Sequence, residues 1–376
     1  MSTAERDRID APRPGRPPPP LNRGAVRWVR ENLISSPFNA ALTVVGFAIA
    51  AHLAWAVFDW AVLRAVFTGE DGTACAKPGT GACWPFVTHK FDLFIYGRYP
   101  ESQHWRVDIT FALMAIGILG VTIPNLPGQR WMVAYTFLVL PVVAFFLLTG
   151  GVLGLEVVET ERWGGLLVTL VVAITGIVAS FPIAVILALA RRSELPIVRW
   201  ASIAFIEFVR GVPLITMLFM ASVMLPLFLP DGVTVDKLLR ALIGVAIFSG
   251  AYLAEVVRGG LQAIPRGQYE AADALGLSYW QKMRLIVLPQ ALTLVIPGIV
   301  NSSIALFKDT SLVLIIGLFD LLGIVQQSIA SDSKWFSPST PMTGYVFAGL
   351  IFWIFCFGMS RYSQALERRL AKGRRR

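Results

Sequence analysis

Eight long apolar stretches constrain this chain more than any other feature of its sequence. A helix of about 20 apolar residues crosses the hydrocarbon core of a bilayer, and charged residues make up only 15% of the chain, against roughly 25% in soluble domains. The pattern predicts an all-α polytopic membrane protein and excludes a soluble globular enzyme or a disordered chain. The predicted spans are 38–62, 109–123, 132–155, 164–190, 203–229, 238–257, 290–322 and 344–362.

The basic residues predict how these spans are oriented, because Lys and Arg concentrate in the cytoplasmic loops of membrane proteins. With eight spans and both termini cytoplasmic, 22 of the 33 Lys and Arg residues lie in inner segments and nine in outer segments. The formal net charge of +9 then reflects topology and contact with anionic lipid rather than nucleic-acid binding.

The chain divides into four regions. In the first, Arg23, Arg27 and Arg30 recur at helical spacing after a Pro-rich run, which fits either an interfacial helix or a solvated linker. The regions are 1–37, a cytoplasmic Pro/Arg-rich tail and interfacial segment; 38–163, three accessory spans with an outer loop at 64–108; 164–366, five core spans with a cytoplasmic segment at 258–289; and 367–376, a basic cytoplasmic tail.

Two apolar stretches are too long to cross the membrane as straight helices. Residues 197–229 and 290–322 would each extend about 50 Å at 1.5 Å per residue, so each must tilt, bend or break. Gly211 and Pro213 are placed to break the first. The second contains Pro297-Gly298 and then the sequence Lys308-Asp309-Thr310, where Asp309 or Thr310 could cap a new half-helix.

The three cysteines and three histidines give limited information. Cys75 and Cys83 lie eight positions apart in the outer loop, where an oxidising compartment would allow a disulfide; two unpaired thiols are the alternative. Cys356 lies in the last span and is expected to be an inert apolar residue. The histidines show no metal-ligand spacing, so no metal site is predicted.

Residues 258–289, between the sixth and seventh spans, are amphipathic, too short for a domain and too apolar for a linker. We expect a first helix from Glu270, whose small residues Ala271 and Ala272 permit close approach to another surface. Gly276 then supplies a tight or left-handed turn, and a second helix follows that Pro289 ends. The pattern predicts a compact helix-turn-helix suited to transmitting force.

This segment resembles a signature of the membrane permease subunits of bacterial ABC importers. The signature is Glu-Ala-Ala, three residues, Gly, nine residues and Ile-x-Leu-Pro, and the chain matches it at Glu270-Ala271-Ala272, Gly276 and Ile286-Val287-Leu288-Pro289. Further segments are similar to the polar-amino-acid branch, and Trp105-Arg106-Val107 resembles the general L-amino-acid importers. Those further segments are Phe208 to Leu214, Ser249 to Gly260, Leu288 to Ala291 and Lys308 to Leu312.

The resemblance implies a type I importer core of five helices, preceded by three amino-terminal helices, in the bacterial inner membrane. Its expected partners are a second, homologous permease forming a heterodimer, two cytoplasmic ABC ATPases and a periplasmic amino-acid-binding protein. ATP and magnesium would bind on the ATPase, and the chain itself would be neither an enzyme nor a cofactor carrier. The sequence contains no Gly-Lys dipeptide, so a usual phosphate-binding P-loop is excluded. By the same resemblance, the residues that couple to the ATPase are Glu270, Ala271, Ala272, Gly276, Leu277 and Pro289.

Polar residues inside the core spans are candidates for the substrate path, because an amino acid requires donors for its carboxylate and acceptors for its ammonium group. Intramembrane charges are functional candidates, yet many only hold helices together, and both interpretations stay open here. If the paired permease holds the only occupied site, these residues are structural. The candidates are Glu207, Arg210, Asn301, Ser302, Ser303, Lys308 and Asp309.

Other functional classes fit the sequence less well. A secondary transporter could use Lys308 and Asp309 as an ion relay, but that leaves the segment 258–289 unexplained. A retinal protein with a Schiff base on Lys308 has the helix count against it. A membrane enzyme would need a nucleophile or a metal cluster that the sequence does not present.

Overall fold

The structure is a computed structural model that describes residues 24–123, 126–152, 154–230, 232 and 234–373. Within these ranges all regular elements are helices, and the β-type pairing is limited to three isolated bridges. The α-helices in chain order are α1 (Ala25–Asn32), α2 (Pro37–Phe58), α3 (Trp84–His89), α4 (Phe91–Tyr96), α5 (His104–Thr122), α6 (Gln129–Ala134), α7 (Leu140–Thr149), α8 (Gly165–Arg191), α9 (Pro196–Gly211), α10 (Leu214–Phe219), α11 (Lys237–Gln262), α12 (Arg266–Ala274), α13 (Tyr279–Lys282), α14 (Leu288–Asp309), α15 (Leu321–Ser331) and α16 (Thr340–Gly373).

The described helices confirm an all-α membrane protein. Seven are long and apolar enough to cross a bilayer, and a bent pair brings the number to eight, the number that hydropathy predicts. The predicted second span, 109–123, is too short, because a 3₁₀ turn at Glu101–Gln103 leads directly into α5 and the observed span runs from Glu101 to Thr122. The spans are Pro37–Leu63, Glu101–Thr122, Gln129–Thr149, Gly165–Arg191, the bent pair Pro196–Gly211 and Leu214–Phe228, Lys237–Gln262, Tyr279–Ile316 and Thr340–Arg368.

The chain separates into two compact units. The smaller contains the described residues 24–65 and 79–82, with α1 and α2. Ser36 caps α2 by accepting a hydrogen bond from the Asn39 backbone N–H at 3.1 Å. No residue of α2 is buried, as expected for a span that faces lipid. The helix α1 falls where the Arg spacing predicts one, whereas the Pro-rich run and Arg23 lie outside the described residues.

The larger unit contains residues 66–78 and the chain from Cys83 onward. The second and third spans therefore belong with the five core spans rather than with the first span. Val107 and Leu148 of these two helices share one buried cluster with Leu167 of α8. The accessory region predicted at 38–163 is thus divided between the two units.

Helices α8 and α11 form the centre of the core, and glycines of α11 allow α8 and α14 to pack closely against it. A Cβ added at Gly250 of α11 would lie 2.7 Å from Ile183 of α8, and one at Gly260 would lie 2.6 Å from the Ala291 carbonyl oxygen of α14. Such close approach of helix backbones needs small residues, which is how helices associate where lipid removes the hydrophobic driving force.

The two long apolar stretches behave differently. The first bends by 105° between Gly211 and Leu214, which confirms the predicted break, since Pro213 has no N–H to continue the helix. The second remains helical through Pro297 and then tightens into a 3₁₀ segment, Thr310–Ile316. The predicted half-helix cap is therefore wrong, as neither Asp309 nor Thr310 caps a new helix with its side chain.

A cap at one end of the larger unit joins the outer loop to the last two helices. Cys75 and Cys83 form a disulfide, and Phe86 packs edge-on against Trp335 with ring centroids 6.1 Å apart. Lys90 forms an ion pair with Asp332. The loop is thus held to the segment between α15 and α16 by a buried aromatic cluster and one ion pair.

Candidate functional site

The segment 258–289, which we call the elbow, connects the spans Lys237–Gln262 and Tyr279–Ile316 and includes the adjoining ends of both. Its first arm is α12, which begins at Arg266 rather than at Glu270, and Pro265 occupies its N-cap position. Its second arm starts at Tyr279 and does not end at Pro289. A π-type turn, Met283–Val287, precedes that proline, so the missing N–H falls at the start of α14, where it is tolerated.

The turn between the arms is closed by backbone hydrogen bonds. Gly276 has φ of +69°, a left-handed conformation that favours glycine. Its N–H donates to the Asp273 carbonyl at 2.9 Å, and the Leu277 N–H donates to the Ala272 carbonyl at 3.2 Å, the pattern of a Schellman motif. Ser278 and Gln281 then form a capping box that starts the second arm.

Side chains lock the two arms together. Lys282 Nζ lies 2.5 Å from Asp273 Oδ1, and the side chain of Gln290 donates to Gln268 at 3.0 Å. Met283 and Val287 of the second arm are buried in the same cluster as Leu261 of α11. The two arms are therefore fixed to each other and packed against the membrane helix α11.

The structure separates the predicted coupling residues into two groups. Glu270, Ala271, Gly276 and Pro289 are exposed and Leu277 is partly exposed. Ala272, by contrast, is fully buried, which corrects its expected place on the contact surface. Its methyl group lies inside the elbow, where a small residue permits the arms to pack together.

The elbow exposes large apolar side chains that sequence reasoning did not single out. Leu275 is 74% exposed, Trp280 70% and Leu285 63%. Tyr279, 45% exposed, stacks edge-on against Trp280 with centroids 5.3 Å apart. Clustered apolar exposure of this kind marks an interaction surface, and the proximity of Leu275 and Trp280 to Gly276 could have signalled it.

Tyr269 and two arginines connect the elbow to the membrane helices. The Tyr269 hydroxyl donates to the Leu261 carbonyl at 3.2 Å, and the Arg192 guanidinium lies 5.8 Å above the Tyr269 ring. The adjacent Arg191 contacts Glu207 of α9 at 2.9 Å and Glu255 of α11 at 3.0 Å. Three membrane helices therefore meet through charges beside the first arm.

The candidate substrate-path residues fall into two groups by the contacts that they make. Glu207 belongs to the charge network, and Arg210 lies 5.5 Å above the Tyr252 ring. The other five candidates belong to α14. Ser303 donates to the Ile299 carbonyl of its own helix at 2.9 Å. Ser302 and Asp309 are partly buried, whereas Asn301 and Lys308 are exposed. Among the described residues, no hydrogen bond or ion pair joins this second set to Glu207 or Arg210.

The described residues contain no group of three His, Cys, Asp or Glu side chains placed to hold a metal ion. They do contain a buried cation that the sequence presents only as an outer-loop charge. Arg106, 1% exposed, donates to the Glu156 carbonyl at 2.8 Å and thereby ties α5 to the segment that precedes α8.

Comparison with known proteins gives one matching family model, whose description is "Binding-protein-dependent transport system inner membrane component". It matches residues 180–372, a range that includes the whole elbow and the charge network.

Two relatives match along nearly the whole chain. One is the inner membrane amino-acid ABC transporter permease protein YhdY of Escherichia coli, 51% identical over 95% of this chain and 97% of its own length. The other is the glutamate/glutamine/aspartate/asparagine transport system permease protein BztC of Rhodobacter capsulatus, 40% identical over 96% of this chain and 97% of its own length.

A solved structure described as an amino acid ABC transporter with histidines is 27% identical to this chain, with a TM-score of 0.47. It covers 55% of this chain and 92% of its own.

Proposed function

The chain belongs to the family of binding-protein-dependent transport system inner membrane components, and from that premise we propose that it is the permease subunit of an ATP-driven amino-acid importer. It forms half of the translocation path and couples to cytoplasmic ATPase subunits through the elbow. Both long relatives carry amino-acid transport in their names, which supports amino acids as the transported class.

The observation that carries this proposal is the combination of a rigid turn with an apolar exposed tip. A Schellman motif, a capping box and the Asp273–Lys282 ion pair fix the elbow, while Leu275 and Trp280 remain exposed. A segment that transmits movement between two proteins must be rigid and must present a surface that the partner can bind, and the elbow meets both requirements.

Orientation follows from the basic residues. Placing both termini and the elbow in the cytoplasm puts 22 of the 33 Lys and Arg residues on that side, as the positive-inside rule requires. The disulfide-bonded loop then faces the periplasm, an oxidising compartment. The protein is accordingly a multi-pass protein of the bacterial inner membrane.

The proposed assembly contains four other kinds of component. A second, homologous permease completes the path, two ABC ATPases bind the elbows, and a periplasmic binding protein delivers the amino acid. ATP and magnesium bind on the ATPase chains, since this sequence has no Gly-Lys dipeptide for a usual P-loop. The polar residues of α14, including Asn301 and Lys308, are the candidate contribution of this chain to the path.

A bulky substitution on the exposed face of the first arm tests the coupling. Ala271→Trp adds an indole to the exposed face of the first arm, so we expect the ATPase to copurify at least about tenfold less with the tagged full chain. Ala330→Trp, on the exposed surface of α15, is the matched control and should leave copurification unchanged.

The buried neighbour separates docking from folding. Ala272→Trp should overpack the elbow and expose it to limited proteolysis, whereas Ala271→Trp should not. If Ala271→Trp retains the ATPase and its transport-coupled hydrolysis at the level of the parent chain, the elbow is not the coupling surface.

A further inference from the structure

A cavity of about 780 Å³ lies between the accessory and core helices of the larger unit. We propose that this cavity, which we call the lateral cavity, binds a phospholipid with an amine headgroup, such as phosphatidylethanolamine. The lipid chain occupies the apolar interior and the headgroup occupies an acidic mouth. Neither the family match nor the proposed importer function assigns a ligand to this place.

The walls of the lateral cavity are apolar and lie at membrane depth. They are contributed by four spans, all at the same end of the bundle, since α5, α8 and α11 begin there and α7 ends there. Ile174 lies nine positions into α8, which at 1.5 Å per residue is about 14 Å. That depth matches one leaflet of a roughly 30 Å hydrocarbon core. The wall residues include Phe111, Met114, Phe145, Leu170 and Ile174.

One flank of the cavity is open to the bilayer. Phe145 is 55% exposed and Leu239 is 49% exposed, although both side chains line the cavity. A lipid chain can therefore enter sideways from the surrounding membrane.

Two buried donors inside the cavity lack an acceptor. Trp163 is 5% exposed, and its indole N–H has no hydrogen-bond partner among the described residues. The buried hydroxyl of Thr149 also has no partner among them. A buried unpaired donor is costly, so it calls for a ligand acceptor. Thr149 is the last residue of α7, and Trp163 lies two residues before α8 begins. Both are therefore near the level of the membrane interface, where the ester carbonyls of a glycerolipid offer such acceptors.

The mouth of the cavity carries negative charge. Glu159, Glu161 and Asp236 line it and are exposed. Three basic residues are close in sequence to these carboxylates, and none of them lines the cavity. Arg162 is exposed, Lys237 Nζ lies beside Gly317, and the Arg240 guanidinium donates to the Ser222 carbonyl. This arrangement attracts an ammonium group and repels an anionic headgroup. It also disfavours a free amino acid, because the apolar walls offer no cation for its carboxylate.

Competition between two lipids tests the proposal. The tagged full chain, with whatever chains copurify, is exchanged into detergent until endogenous lipid is lost. Phosphatidylethanolamine and phosphatidylglycerol with identical acyl chains are then added in equal amounts, and bound lipid is counted by native mass spectrometry. We expect the chain to retain at least about tenfold more phosphatidylethanolamine than phosphatidylglycerol, because one charge-assisted hydrogen bond supplies a ratio of that size.

Three variants identify the parts of the site, each with a matched control. Trp163→Phe keeps the ring and removes the donor, and should lower retention, whereas Trp335→Phe in the outer cap should not. The pair Glu159→Gln and Glu161→Gln should abolish the preference between headgroups, whereas Glu70→Gln with Glu101→Gln, the same charge change elsewhere, should keep it. Ala144→Trp should fill the cavity and reduce binding of both lipids, unlike Ala48→Trp on α2.

Several results would overturn the proposal. They are equal retention of the two lipids, loss of both after mild washing, and an image of the assembled complex with a protein helix or no density in the lateral cavity. The competition uses the parent chain, so its result holds even if a variant fails to fold. A bound lipid should also raise the midpoint of thermal unfolding when ethanolamine lipid is restored, and no rise would count against the site.

Discussion

Lys282 and Asp273 face each other across the elbow turn, with Nζ 2.5 Å from Oδ1. The carboxylate side is 57% exposed, so solvent screens the pair and its own contribution to stability is small. Its significance is geometric, because it joins the last turn of α12 to the single turn of α13 beside Gly276. The elbow therefore has two independent constraints on its angle, one from the backbone and one from charge.

Gly276→Val should disrupt the elbow through its backbone rather than through contacts. An added Cβ at Gly276 meets no atom within 4 Å, but φ of +69° is strained for a β-branched residue. We expect a local cost of about 1–3 kcal/mol and loss of coupled transport. Membrane insertion should remain normal. Amino-acid uptake and ATP hydrolysis of the assembled complex measure the two effects.

Asparagine provides the control at the same position, because it tolerates the left-handed conformation. Gly276→Asn should retain most of the uptake. Equal loss in both variants would mean that the side chain, and not the backbone conformation, matters.

Glu255→Gln should weaken the junction of the three membrane helices. Glu255 contacts Arg191 at 3.0 Å and Arg258 at 2.8 Å, and its side chain is only 16% exposed. Removing its charge leaves two cations without their shared counterion, at a cost of about 1–3 kcal/mol. The thermal unfolding midpoint should fall, while Glu194→Gln, on an exposed residue, should leave it unchanged. An unchanged midpoint in Glu255→Gln would show that the network does not support the fold.

The two proline-containing stretches show how far the effect of a proline on a helix can be predicted from the local sequence. The break at Gly211 and Pro213 was predictable because Pro removes a donor within one turn. Pro297 has the same chemistry yet leaves its helix continuous, which membrane helices tolerate where neighbouring groups satisfy the freed carbonyl. Local pattern alone cannot distinguish the two cases.

Packing decided the features that the sequence did not reveal. Ala271 and Ala272 are adjacent and chemically identical, yet only Ala272 is buried, because the turn at Gly276 folds the second arm onto one face of the first. Trp280 is apolar yet exposed, and Arg106 is charged yet buried. Each outcome depends on residues distant in the chain, which periodicity does not encode.

Replacing Cys75 and Cys83 with Ser should destabilise the outer cap. The disulfide closes a short loop, for which the entropy of the unfolded chain gives about 2–3 kcal/mol. Cys75 and Cys83 are both buried against Phe86 and Trp335, so we expect faster proteolysis of the outer loop in the double variant. Non-reducing peptide mapping should show the two peptides linked, and Cys356→Ser is the matched control. Alkylated free thiols at 75 and 83 would contradict the bond.

Because of Asp320, the free energy of unfolding should decrease as the pH rises through about 6. Burial raises the pKa of this carboxyl to about 6, although it caps α15 by accepting from the Gly323 N–H at 2.9 Å. The unfolded pKa is lower, near 3.8, so between these values the folded state binds more protons. Stability is therefore fully present below the unfolded pKa and declines up to the folded one.

Asp320→Asn should remove that decline, because the amide keeps one acceptor for the Gly323 N–H and cannot ionise. Relative to the parent chain, the variant should gain about 1–3 kcal/mol between pH 4 and pH 7, measured as the thermal unfolding midpoint across that range. Asp332 supplies a control of opposite sign, since the ion pair with Lys90 lowers the pKa of its carboxyl. Asp332→Asn should be less stable than the parent at neutral pH, with the difference vanishing as the pH falls and Asp332 becomes protonated in the parent. Parallel pH profiles for the parent and Asp320→Asn would show that the buried carboxyl does not titrate in this range. Because the two variants must diverge from the parent in opposite directions, a general effect of acid on the membrane protein cannot imitate the expected result.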